Sequence, residues 1–174
     1  YRAALAVRPA HTGAHNNLGR LLLARAALVE AEAEFGAALR ARPDSADALY
    51  NLGRVFVAAG RPEKAVEPWR RAVALRPDSL TFVLDLAWTL ATTPAVADPP
   101  EALRLAEEAV RSTRGTNPVA LDVLAAAYAA DRQWATAVRT ARRALERAVA
   151  LGNTALAADI RERLDRYQAG AASA

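Results

Sequence analysis

Two polar side-chain types recur at a fixed step in this sequence and could do recognition chemistry. The step from Asn17 to Asn51 is the same as the step from Arg20 to Arg54. A carboxamide both donates and accepts, so it can bond to either side of a peptide unit. A guanidinium presents a planar fork of donors that fits a carboxylate. Neither group makes or breaks covalent bonds. Residues that could are scarce. There is no cysteine, and His11 and His15 form an isolated H-x3-H pair with no third ligand and no carboxylate nearby in sequence, a poor start for a metal site. No glycine-rich phosphate loop is present. The carboxylates are scattered among arginines on helix faces and do not converge on a nucleophile and base. Catalysis, a bound metal and a cofactor are therefore not expected.

The elements that carry these side chains repeat with the same step. Leu18, Leu52 and Leu86 are evenly spaced by it, as are Pro9, Pro43 and Pro77. Gly19 and Gly53, Ala31 and Ala65, Phe35 and Trp69, and Ala38 and Ala72 keep that spacing. A period held by so many positions signals an array of small units, each burying its apolar face on its neighbours. Within a period, stripes at i, i+3 and i+4 such as Leu49, Leu52, Val55 and Phe56, then Ala65, Trp69, Ala72 and Val73, read as two short amphipathic helices. Small residues at Gly19 and Ala31 let the two helices approach, with Phe35 filling the space above. Gly60 ends the first helix of the second unit and Pro62 opens the next. Pro68 falls inside that second helix, where a kink is expected. Trp69 and Trp134 fall at core positions and are read as structural.

The expected organisation is a half repeat at 1–11, full units at 12–45 and 46–79, a unit at 80–117 with an inserted loop, a unit at 118–152, a capping helix at 153–168 and a frayed tail at 169–174. The insertion shows in the spacing: the interval from Leu86 to Ala102 is longer than the equivalent interval from Leu52 to Ala65. Asp98, Pro99 and Glu101 after it make a good helix start. The last helix places Leu156, Ile160, Leu164 and Tyr167 on one side, with Arg163 and its charged neighbours expected to face water. The sequence opens midway through a unit, so a partner helix upstream is expected and the exposed Tyr1–Val7 helix should be sticky.

Composition sets outer bounds. The chain has 174 residues, 53% hydrophobic and 24% charged, which suits a packed helical protein. No apolar run approaches the length of a membrane span. The net charge is +4, but of 23 basic residues only Lys64 is lysine, and the arginines are spread through every helix beside glutamates. No basic stripe is interleaved with aromatics, so nucleic acid is not the expected partner. The compartment is left undecided.

The repeated residues resemble the tetratricopeptide repeat. Its pattern is matched by Leu49, Leu52-Gly53, Phe56, Ala65, Trp69, Ala72 and Pro77, and by His15, Leu18-Gly19, Leu22, Ala31, Phe35, Ala38 and Pro43. The unit at 118–152 resembles it through Ala125 and Tyr128 but lacks the closing proline. The segment from Asp85 to Gly170 is also similar to the closing part of many bacterial multi-repeat proteins. The resemblance implies an all-α, right-handed α-α superhelix of antiparallel helix pairs with a C-terminal capping helix, acting as a protein–protein interaction scaffold.

In that family the first helices of successive repeats line a groove that holds a partner segment. By register, the resemblance puts Asn16, Asn17, Arg20, Tyr50, Asn51, Arg54, Leu84, Asp85 and Trp88 at groove positions. The asparagine pair is similar to the ladder in the repeat domain of O-linked N-acetylglucosamine transferases, though Asp85 and Val123 follow at the next rungs. The competing reading is tolerated surface asparagine. Arg20 and Arg54 would take an acidic ligand or pair internally with Glu or Asp. Thr81 and Asp85 stand where a third repeat would need basic residues to clamp a terminal carboxylate, so that clamp is not predicted. Trp88 is a binding anchor or packs under the inserted loop. The expected partner is a protein or peptide segment. Self-assembly through the first helix, or substrate recruitment for a larger enzyme, are the alternatives.

Overall fold

The computed structural model describes residues 10–173, and the expected Tyr1–Val7 helix lies outside that range. Among the described residues there are nine α-helices and no strand. They are α1 (Thr12–Ala24), α2 (Leu28–Ala41), α3 (Ala46–Ala58), α4 (Val66–Leu75), α5 (Leu80–Thr92), α6 (Pro99–Ser112), α7 (Pro118–Ala130), α8 (Trp134–Ala150) and α9 (Thr154–Ala172). The chain divides into two compact units, Tyr1–Phe82 and Val83–Ala174, with the boundary inside α5.

In the first unit α1 packs on α2, α2 on α3 and α3 on α4, and α1 also touches α3. Glycine makes the close pairs. A methyl group added at Gly19 would lie 2.8 Å from Phe35 Cε1, and one at Gly53 would overlap the Trp69 indole. Phe35 is completely buried, and with Ala31 and Val55 it is covered by Leu22, Leu23, Leu28 and Leu52. The Trp69 indole N–H, buried by the same approach, donates to the Tyr50 carbonyl at 2.9 Å. Pro68 produces no kink. A 3-10 turn at Pro62–Lys64 precedes α4, which starts at Val66, so Pro68 falls in the first helical turn. Amides there have no acceptor within the helix, and a proline removes nothing.

The turns after α1, α3 and α7 each place one residue in the left-handed region. Gly60 (φ 71°) supplies it after α3, but Ala26 (φ 56°) stands there after α1 and Arg132 (φ 59°) after α7. A side chain in that conformation is strained, and glycine is not. Ala26→Gly and Arg132→Gly are each expected to raise stability by about 0.5–1 kcal/mol, read as a higher urea midpoint at unchanged slope.

In the second unit α6 packs on α7, α7 on α8 and α8 on α9, which also reaches α7. The starts of α6, α7 and α9 are capped by side chains. Asp98 accepts from the Glu101 amide at 3.1 Å, Asn117 from Val119 and Ala120 at 2.9 and 3.1 Å, and Asn153 from Leu156 at 3.1 Å. The glycine-and-aromatic pairing of the first unit is replaced here. By register Gly19 and Gly53 become Ala87 and Ala125, while Phe35 and Trp69 become Ala106 and Ala141, and all four alanines are fully buried.

The tail expected to fray at 169–174 is instead helical through Ala172, beyond the stop anticipated at Gln168. The reason is Gly170, where an added methyl would lie 2.8 Å from Trp134 Cε3. The small residues that looked structureless let the helix pass close under an indole ring.

Candidate functional site

Six of the nine predicted recognition residues line one cleft of the first unit, of about 540 Å³. Asn16, Asn17 and Arg20 come from one side of α1, and Tyr50, Asn51 and Arg54 from the matching side of α3. Positions i, i+1 and i+4 share a helix face, which is why both helices present their triplets together.

The members play unequal parts. Asn51 is buried, 6% exposed, and its Nδ2 donates to Asn16 Oδ1 at 3.2 Å, tying α3 to α1. The anticipated ladder of two equivalent asparagines is thus uneven: Asn17 is half-exposed, while Asn51 is an internal strut. The Tyr50 ring stacks on Phe82 at 4.3 Å between centroids and faces Trp69 at 6.1 Å, forming a rigid wall. The Arg54 guanidinium lies 6.0 Å from the Tyr50 ring centre. Arg20 and Arg54 are exposed and neither forms an ion pair with a described carboxylate. By contrast Arg76, which also lines the cleft, pairs with Asp47 at 2.6 Å and lies over Phe82.

The two histidines have local roles. His11 caps α1, its Nδ1 accepting from the Ala14 amide at 3.1 Å. His15 is not without a carboxylate, as its sequence neighbourhood suggested: Glu34 Oε2, brought in by α2, is 2.7 Å from its Nδ1.

Leu84, Asp85 and Trp88 belong to the second unit. Leu84 is buried, not presented at a groove, and Asp85 is half-exposed. Trp88 carries the Arg163 guanidinium 5.2 Å above its ring. Arg163 was expected to face water, yet it turns inward to Asp122 as a two-point pair, Nε to Oδ1 at 3.0 Å and the terminal nitrogen to Oδ2 at 2.6 Å. Asp122 is 4% exposed. Burial raises its carboxyl pKa above the ordinary value, the Arg163 hydrogen bond and charge oppose this, and the charge of Asp159 adds to it. Sequence reading missed this pair because Asp122 is the lone charge in an apolar helix. That isolation was the available signal, since such a charge must find a partner when buried.

A second cleft, of about 430 Å³, lies in this unit, with Trp88, Trp134, Arg163, Arg166 and Tyr167 over a floor of alanines. Tyr167 is 8% exposed, and its phenol is pushed up to about 12, first by burial and then by the nearby Asp122 charge.

A family model described as tetratricopeptide repeat matches residues 1–46, 28–79 and 50–113. No curated protein matches the chain. Among solved structures, the chain is similar to YrrB, described as a TPR protein with an unusual peptide-binding site, with TM-score 0.76 and 22% identity over 93% of this chain and 80% of that one. It is similar to MamA, with TM-score 0.74 and 19% identity over 88% and 87% of the two chains. It is also similar to MamA 41-end from Desulfovibrio magneticus RS-1, with TM-score 0.69 and 18% identity over 90% and 94%. Likenesses at this identity speak for the fold, an all-α array of antiparallel helix pairs.

Proposed function

We propose, since the chain belongs to the tetratricopeptide repeat family, that it is a protein–protein interaction scaffold holding a partner segment in the cleft between α1 and α3. The observation that carries this reading is the pair of exposed arginines, Arg20 and Arg54, without ion-pair partners beside the free amide of Asn17 and the fixed ring of Tyr50. An extended segment would bond its backbone to Asn17, lay apolar surface on Tyr50 and bring acidic side chains to the arginines. A charge-assisted hydrogen bond to a guanidinium is among the stronger polar contacts a surface can offer. YrrB, a repeat protein of similar fold, has a peptide-binding site, which supports this use of the fold. No described helix is long and apolar enough to cross a membrane.

The test is capture of partners from the source organism's lysate with the chain and with Asn17→Ala/Arg54→Ala in parallel. Asn51 is left intact because its amide ties the two helices together. Specific proteins are expected on the parent chain, with recovery by the double variant falling about tenfold or more, as for loss of hydrogen bonds to a charged group. Undiminished recovery would place binding outside this cleft. Recovery of the chain alone would put self-association in its place.

A further inference from the structure

The cleft of the second unit holds donors that the fold does not use. Tyr167 is 8% exposed, yet its hydroxyl has no hydrogen bond to any described residue. No buried side-chain oxygen or nitrogen among the described residues lacks a partner, so this hydroxyl is not fully enclosed, and Tyr167 is one of the residues that line the cleft. Beside it, Arg166 is exposed and makes no ion pair with a described carboxylate. Arg163 is already committed to Asp122. No carboxylate lines the cleft, while two indoles and a floor of alanines give it apolar walls.

We propose that this cleft binds a partner polypeptide at an apolar side chain directly followed by an acidic one. The apolar side chain enters between Trp88 and Trp134 and rests on the alanines. The carboxylate takes the Arg166 guanidinium and the Tyr167 hydroxyl, the two donors that lack acceptors. Tryptophan, tyrosine and arginine are the residues that most often anchor such contacts, and a cleft of about 430 Å³ suits one side chain with its neighbour. Trp88 is fixed from one side by Arg163, which Asp122 holds in turn, so this wall is preorganised.

The proposal is tested by fluorescence polarisation with three labelled probes and the full chain. The first is a peptide with blocked ends containing Gly-Ser-Phe-Glu-Ser-Gly, the second replaces Glu by Gln, and the third is Gly-Ser-Phe with a free carboxyl end. The Phe-Glu peptide is expected to bind, and the Phe-Gln peptide to bind about tenfold more weakly or worse, as for a lost hydrogen bond to a charged group. Arg166→Gln and Tyr167→Phe should each narrow that preference without changing helical content by circular dichroism. Asn17→Ala/Arg54→Ala should leave it intact, which separates this site from the α1–α3 cleft. Equal affinity for the Glu and Gln peptides, binding only of the free-carboxyl probe, no binding of any probe, or a preference that survives Arg166→Gln would each overturn it.

Discussion

Truncating Asp122 to alanine is expected to destabilise the Val83–Ala174 unit by roughly 3–5 kcal/mol, the range for breaking a buried ion pair. The loss comes less from the missing attraction than from what remains. Arg163, 14% exposed, would be left beneath the surface with no counter-charge. The pair is not thereby a large net source of stability, because burial raises the Asp122 pKa despite the arginine beside it. Removing both charges is therefore expected to cost far less than removing one, and Asp122→Leu/Arg163→Met should recover most of the loss.

The pH dependence follows from the sign of the shift. A carboxyl with a raised folded pKa binds its proton more tightly in the fold than in the unfolded chain. Its contribution is fully present below 3.8, the ordinary value, and fades as pH rises through the folded pKa. The stability of the parent relative to Asp122→Asn should accordingly decline as pH rises above 3.8. Amide exchange of α7 and α9 would read both effects within this unit. A single-variant loss under about 1 kcal/mol, the scale of a surface pair, would mean that Arg163 relaxes to water at little cost.

The same substitution at two glycines is expected to act with opposite sign. Gly53→Ala places a methyl group into the Trp69 indole. Alanine is favoured over glycine in a helix by about 1 kcal/mol, but overpacking a filled core costs about 1–3 kcal/mol, and a rigid indole held by its bond to Tyr50 cannot step aside. The upper part of that overpacking range applies, which leaves a net loss of about 2 kcal/mol. Adding Trp69→Leu in that background should return part of it, since the two changes share one contact. At Gly36, on α2, the nearest atom an added methyl meets is the Arg40 guanidinium, at 3.4 Å and free to move. Gly36→Ala is expected to gain about 0.5–1 kcal/mol from helix propensity. Urea unfolding of the two variants decides this: equal effects would show that close approach at Gly53 is not what sets the helix spacing.

Much of this arrangement is legible in sequence because repetition reports it several times. The step shared by Gly19 and Gly53, and by Phe35 and Trp69, encodes the contacts those residues make. The Asp98 cap and the Gly60 turn follow from local rules that need no tertiary information. What escapes is whatever depends on one particular partner. Pro68 looked like a helix breaker because its position relative to the α4 start depends on a 3-10 turn. Asn51 looked equivalent to Asn17 because a period cannot say which of two like side chains faces inward. Arg163 and Asp122 are far apart in the chain and meet only once α9 folds back on α7. Tyr167 read as an ordinary core residue, and only its unbonded hydroxyl marks it as more.

The central claim, that the α1–α3 cleft holds a partner segment, is tested most directly by photo-crosslinking. p-Benzoylphenylalanine would be placed at Asn17, inside the cleft, and in a second sample at Val29, which is 80% exposed on α2 and outside it. Each sample would be irradiated in lysate and the adducts identified by mass spectrometry. A cleft that holds a partner gives one recurring protein adduct from position 17, mapped to a single acidic segment, and no such adduct from position 29. That partner crosslinking only from position 29, or adducts at position 17 made solely with other copies of the chain, would contradict it.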